Sequence, residues 1–452
     1  MSRHALRSIV LCLCTALFAA SSFADELKRR GMMGIHPVPA SEPGQPPKKG
    51  VRLARIFPDT AASKAGLEAD DVVVKVNNRE VADMQAFLTY MRQFYGGDTV
   101  TFTVERGKET LSKELTLMPR PKETSDKYEL IYDSCKVKDW NVRTYVTKPK
   151  GEGKHPAVLF LFSPTPQPME FPPQFGDHPY KKVIEALDAA GIATLRVDRV
   201  GVGDSEGGDP IQTTYETDVE TYRSALKCLA KYDFVDPERV FIFGQGLGSA
   251  LVPLVGQQPG IRGIVTYGST VVRPFSEGMV DLFRRIWDLE TVEAPEIEKR
   301  AKALAEFLAK AGKPDSNPGE LLNDYPALGP IRESLVPQNG RSLLGMPIPY
   351  FQAIAANDLA AEWSRVSAPV LSLWGTSDYQ AGRRDAELIA ASAGSKVKGR
   401  GEFKMVDSVD HAMNLAEDQE DSYLSGYEGG EYSDAVAKEL IAFIEKHDRK
   451  AA

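Results

Sequence analysis

Residues Arg239 to Pro253 read RVFIFGQGLGSALVP. An apolar run, Val240 to Phe243, meets Gly244-Gln245-Gly246-Leu247-Gly248, and a segment able to start a helix follows. Three glycines at alternate positions fit a sharp strand-to-helix turn. A central residue there needs a strained backbone, and its neighbours must be small for strand and helix to approach. Glycine is the least strained occupant of the centre, and a residue with a side chain would store about 1–3 kcal/mol there. The string alone also suits a phosphate-binding glycine loop or a plain tight turn, so the surrounding chain has to decide.

The 452 residues allow two or three domains and a sizeable core. Residues 1–24 have the layout of a cleaved export signal. Arg3 and Arg7 precede the apolar stretch Ile9 to Ala20, and Ser22-Phe23-Ala24 is a small-x-small site. The apolar run is too short for a permanent membrane anchor, so an exported, periplasmic or secreted protein is expected. Removing that segment takes away two arginines and no acids, which moves the formal charge from −8 to −10. Such an acidic chain is a poor partner for nucleic acid or an anionic membrane. Cys135 and Cys228 would then be the remaining cysteines, and sequence leaves open whether they pair or stay as buried thiols. With no C-x-x-C and no His/Cys cluster, neither a metal nor a cofactor is expected.

Residues 29–120 read as short strands, turns and one or two helices, the first a short one over Asp59–Gly66 ended by glycine. Strands are expected at Gly50–Phe57, Asp71–Val76 and Thr99–Glu105, and helical spacing runs over Glu80–Tyr95. Three stretches carry a resemblance: Gly31-Met32-Met33-Gly34-Ile35, Phe57 to Leu67, and Asp71-Val72-Val73. Together they resemble a bacterial PDZ domain. Asp70-Asp71 stands where that family usually has Gly-Asp, and Val76-Asn77-Asn78 where it has Val-Asn-Gly. The resemblance implies a small α+β barrel-like fold that adds an extended peptide, often a protein C-terminus, to a sheet edge. Amides of Met33, Gly34 and Ile35 would receive its carboxylate. Pro37 and Pro39 follow at once and cannot donate to an added strand. Residues 121–126 are short, polar and proline-bearing, and read as a linker.

From 127 to 448, strand and helix patterns alternate, which predicts an α/β fold with a mostly parallel sheet. Asp198-Arg199-Val200-Gly201-Val202-Gly203-Asp204-Ser205-Glu206-Gly207 precedes the quoted turn. Gly375-Thr376-Ser377-Asp378 ends a later strand, and Asp410-His411 follows Lys404-Met405-Val406. In sum these resemble the α/β-hydrolase superfamily, near its serine esterases and peptidase-like hydrolases. That resemblance makes 239–253 the nucleophile elbow, G-x-S-x-G, with Gly246 at the nucleophile position, Asp378 as the acid and His411 as the histidine. It places the oxyanion amides at Leu247 and in the loop Phe162-Ser163-Pro164-Thr165-Pro166, with Ser163 and Pro164 as candidates. Pro164 at the donor position would have no N–H to give. About 273–366 is expected to form a helical lid.

A triad needs a hydroxyl or thiol at 246, with His411 as base and Asp378 fixing its tautomer. Gly246 supplies neither, and losing a nucleophile can cost about 10⁶-fold in turnover. Three readings therefore stand: a degenerate hydrolase that binds a small acyl, ester or peptide ligand; an active hydrolase with another nucleophile; and a PDZ adaptor whose second domain is scaffold.

Overall fold

The structure, a computed structural model, describes residues 27–41, 48–172, 176, 178–269, 273–337, 340, 342–426 and 430–448. The expected export signal, 1–24, and its two cysteines lie outside the described residues.

The N-terminal unit contains β1 (Gly31–Met32), β2 (Ile35–Pro39), β3 (Val51–Ile56), α1 (Ala61–Lys64), β4 (Val72–Val76) and β5 (Arg79–Glu80). It continues with α2 (Met84–Met91), β6 (Thr99–Arg106), β7 (Glu109–Thr116) and β8 (Met118–Pro119). The sheet runs β2-β3-β4-β6-β7, with β5 on β4, and β1 pairs separately with β8. Alternate residues of β3 and β6, with Val73 and Val76 of β4, turn inward onto Phe87 and Met91 of α2, closing a small core. The helix expected over Glu80–Tyr95 is shorter because Asp83 caps it, its carboxylate accepting from Ala86 N at 2.7 Å. This is a PDZ-like β domain.

The second unit opens with the hairpin β9 (Glu129–Val137) and β10 (Trp140–Lys148). Then come β11 (His155–Leu161), α3 (Pro179–Ala189), β12 (Ala193–Val197), α4 (Tyr215–Leu229), β13 (Val235–Gln245), α5 (Val252–Val255) and β14 (Ile261–Tyr267). An insertion holds α6 (Phe275–Leu289), α7 (Ala294–Ala311), α8 (Pro318–Leu321), α9 (Arg332–Leu335), the ribbon β15 (Ser342–Leu343) and β16 (Met346–Pro347), α10 (Ile348–Ala356) and α11 (Leu359–Arg365). The chain closes with β17 (Val370–Gly375), α12 (Arg383–Gly394), β18 (Gly401–Val406), α13 (Gln419–Ser425) and α14 (Ala435–Asp448).

The sheet order is β18-β17-β14-β13-β11-β12-β10-β9. From β12 to β18 neighbours are parallel, and the leading hairpin joins antiparallel through β10. Both faces are covered, which explains the near-continuous apolar runs of β11, β13, β14 and β17. The fold is that of an α/β hydrolase.

The stretch read as a linker is not a free tether. Glu123 is buried, and both its oxygens pair with the Arg196 guanidinium of β12 at 2.9 and 3.1 Å. Tyr128 Oη and Phe171 N donate to the same carboxylate at 2.6 and 2.7 Å. The polar, proline-bearing stretch gave no sign of this because Arg196, the partner, lies on a strand far along the chain.

The loop after β12 clamps the N-terminal unit. Asp204, buried, accepts from Arg29 Nη1 at 2.5 Å and Arg30 N at 2.9 Å, with Arg143 Nε 3.5 Å away. Asp209 accepts from Gln85, Thr89 and Arg92 of the α2 region at 2.7, 3.2 and 2.9 Å. Among the described residues, no helix is long and apolar enough to cross a membrane.

Candidate active site

The site lies at the carboxyl ends of the parallel strands, where loops after β11, β13, β14, β17 and β18 meet. β13 ends at Gln245, and a 3-10 turn over Gly246–Ala250 leads towards α5. Gly246 has φ +56°, the left-handed conformation that a sharp turn requires. Close approach explains its neighbours. A Cβ on Gly244 would lie 2.3 Å from Val252 Cγ2, and one on Gly248 would lie 2.4 Å from the Leu161 carbonyl.

Asp378 and His411 come from adjacent strand ends, and the loops carrying them are knitted together. Thr376 N donates to Val406 O at 2.9 Å, and Ser377 N to Val409 O at 3.2 Å. Asp378 is fully buried. Its Oδ1 accepts from the amides of Gln380 and Ala381 at 2.9 and 2.8 Å, leaving Oδ2 against His411 Nδ1 at 2.9 Å. Burial opposes protonation of the His411 ring. The Asp378 charge and hydrogen bond, with Asp410 behind, nevertheless carry its pKa above the ordinary histidine value. A Cβ built on Gly246 would lie 3.3 Å from His411 Nε2, so the free face of the imidazole looks at position 246.

Of the oxyanion candidates, Ser163 and Leu247 are brought together. Leu247 N donates to Ser163 Oγ at 3.2 Å, and that hydroxyl lies 3.0 Å from the same Gly246 Cβ point. Pro164 is not with them. It is buried outside the cavity wall, and its carbonyl accepts from Arg199 Nη1 at 3.2 Å. Arg199 is fixed in turn by Asp218 at 2.7 Å.

A cavity of about 280 Å³ opens above Gly246, with Ser163, Leu247 and His411 on its floor. The 273–366 insertion supplies most of the remaining wall: Phe275, Met279, Leu282 and Phe283 of α6, with Leu344 and Met346 of the ribbon. Arg285 of α6 donates to the carbonyls of Tyr379 and Gln380 at 2.8 and 3.1 Å, tying the insertion to the Asp378 loop. This floor and roof can hold a small apolar group beside the imidazole.

Two supporting residues escaped the sequence reading. Gly268, after β14, has φ +60°, and a Cβ on it would lie 2.9 Å from His411 Nδ1 and 3.0 Å from Asp378 Oδ2, within the pair itself. Gln245 donates from Nε2 to the His411 carbonyl at 2.8 Å and accepts from Tyr180 Oη. A polar residue ending a buried apolar strand was the available signal for Gln245. Gly268 carried none.

In the N-terminal unit, Met33, Gly34 and Ile35 form the turn into β2, which is an edge strand with α2 beside it. The carbonyls of Met33 and Gly34 accept from Ala62 N and Phe57 N at 2.9 and 3.0 Å. Gly34 has φ +79°, and a Cβ on it would lie 2.1 Å from Thr60 Cβ, so only glycine fits.

Comparison with known proteins agrees with both units. A PDZ domain model matches residues 31–117, and an alpha/beta hydrolase family model matches residues 171–421. Esterase EstD of Thermotoga maritima is 26% identical over 272 residues, 59% of this chain and 57% of that protein. The chain therefore spans little more than half the length of that curated relative. Among solved structures, Est1E from Butyrivibrio proteoclasticus with ferulic acid bound superposes with a TM-score of 0.44 at 16% identity, covering 70% of this chain and 99% of that one. The hypothetical protein PA2218 from Pseudomonas aeruginosa gives a TM-score of 0.46 at 16% identity, covering 72% and 95%. Matched over more than half its length, the chain belongs to the alpha/beta hydrolase family and carries a PDZ domain on its N-terminal side.

Proposed function

We propose that this is an exported, degenerate serine hydrolase whose pocket binds a small acyl, ester or peptide ligand without covalent turnover. The observation that carries the reading is Gly246 at the apex of the elbow, under His411 Nε2, where a serine nucleophile would be replaced by glycine. A base with a held tautomer then has no hydroxyl on that residue to deprotonate. The Leu247 amide supports the same reading, because it is already satisfied by Ser163 Oγ instead of being free for a developing oxyanion. The apolar insertion walls suit a short acyl chain. The PDZ domain would take a peptide or protein C-terminus along β2, with the Met33-Gly34-Ile35 turn at the carboxylate.

One observation favours a second reading, an active ester or peptide hydrolase. Ser163 Oγ shares the cavity floor with His411 and sits close to the place where a nucleophile on residue 246 would start. A rotation about χ1 would release the Leu247 amide and turn that hydroxyl towards the imidazole. Labelling with a fluorophosphonate, followed by mass mapping, separates the two. The degenerate reading expects no adduct. An adduct on Ser163, lost in Ser163→Ala and in His411→Ala, would overturn it and establish the second.

A further inference from the structure

Cys135 of β9 and Cys228 near the end of α4 lie on elements with no part in the pocket, and both are free, buried thiols. Cys135 is 1% exposed and Cys228 9%. Both belong to one hydrophobic cluster, where β9 packs on α4. Contacts on either side fix that approach. Lys231 Nζ donates to the Ser134 carbonyl at 3.2 Å, and Tyr232 Oη to Asp133 Oδ2 at 2.8 Å. The residues that flank the two cysteines along the chain are thus fastened to each other, which sets Cys135 and the last turn of α4 side by side.

We propose that Cys135 and Cys228 are a redox pair that closes to an intrachain disulfide in the folded protein when a small-molecule or protein disulfide is present. The chemistry is two successive exchanges. The Cys228 thiol loses its proton, and its thiolate attacks one sulfur of the donor disulfide, expelling the other sulfur as a thiolate. Cys135 then loses its proton and attacks Cys228 Sγ in the mixed disulfide, expelling the second donor thiolate. One S–S bond is broken in the donor and one is formed in the protein; two electrons pass to the donor, and two protons follow them.

The order of attack follows from the environment. Cys228 is the more accessible thiol. The neighbouring Cys135 thiol, and then the Lys231 charge, hold its pKa below the ordinary thiol value against the opposing effect of burial, while the proximity of Cys228 and burial push Cys135 up. The thiolate is the attacking species, so the lowered thiol attacks first. The bond would tie the leading hairpin to the helix before the elbow, enclosing β10, β11 and β12 in one covalent loop. None of this depends on whether the pocket turns over its ligand.

The test uses the full chain, Cys12→Ser/Cys14→Ser and otherwise unsubstituted so that Cys135 and Cys228 are the thiols counted, purified reduced, incubated folded with glutathione disulfide and then quenched with N-ethylmaleimide. After denaturation and a second maleimide of different mass, thiols are counted by intact mass. The expected product is a chain about 2 Da lighter than the reduced one, carrying neither label and no glutathione. Cys135→Ser should stop at a Cys228–glutathione mixed disulfide. Two labelled thiols, or a stable glutathione adduct on the chain that keeps both Cys135 and Cys228, would overturn the proposal.

Discussion

The imidazole of His411 is held on one side and faces the cavity on the other. Nδ1 faces Asp378 at 2.9 Å, while Nε2 faces the space over Gly246. That pairing has a thermodynamic signature whether or not any chemistry occurs. The folded pKa of His411 lies above the unfolded value near 6.5, with the Asp378 charge and hydrogen bond outweighing burial. Below the unfolded value both states are protonated and the stabilisation is fully present; it is lost as pH rises through the folded pKa. Asp378→Asn keeps an oxygen for the Gln380 and Ala381 amides and removes the charge. Its melting temperature should fall further below that of the unsubstituted protein at pH 5.5 than at pH 9. Differential scanning calorimetry at the two values checks this, and an equal deficit at both would show that the ion pair adds nothing. These two residues were legible in sequence because each stands in a stretch that resembles the family's pattern, Gly375 to Asp378 and Asp410-His411. Gly268, pressed against both, was not, since its role is only to leave room.

At the scale of elements, the loop after β12 does two jobs. Arg199 at its start holds the Pro164 carbonyl and so positions the Ser163 turn, while Asp204 and Asp209 further along grip the PDZ domain. The family resemblance drew in Asp198 to Gly207 without disclosing either role. The second depends on Arg29 and Arg92, which come from another domain. The same limit applied to Glu123, read as linker before its bond to Arg196 was in view, and to the Ser163/Pro164 register. A hydrogen bond between Leu247 and Ser163 joins segments that only the fold brings together. Asp204→Ala would leave the Arg29 and Arg143 guanidinium groups without that carboxylate in a site where Arg143 is almost wholly buried. Breaking a buried pair from one side costs about 3–5 kcal/mol. Urea unfolding should show that loss, or a separate early transition for the PDZ domain; a midpoint and slope identical to those of the unsubstituted protein would contradict the clamp.

Across the whole molecule, a PDZ domain is fastened to a hydrolase domain whose pocket is roofed, lined and electrostatically prepared. The mostly parallel sheet was readable because strands buried on both faces write themselves as apolar runs, and the acid and histidine were readable through the family resemblance of the stretches that carry them. What sequence could not decide was whether the site around Gly246 had kept its geometry. The structure places His411 Nε2 3.3 Å from a Cβ at that position, and φ there is already +56°. On the proposed reading, a hydroxyl placed there should give ester hydrolysis. Hydrolysis of short p-nitrophenyl esters by the unsubstituted protein, Gly246→Ser and Gly246→Ser/His411→Ala tests this directly. The account predicts turnover by Gly246→Ser alone, at least ~10³-fold above the other two. Turnover by the unsubstituted protein that Gly246→Ser does not exceed would contradict it.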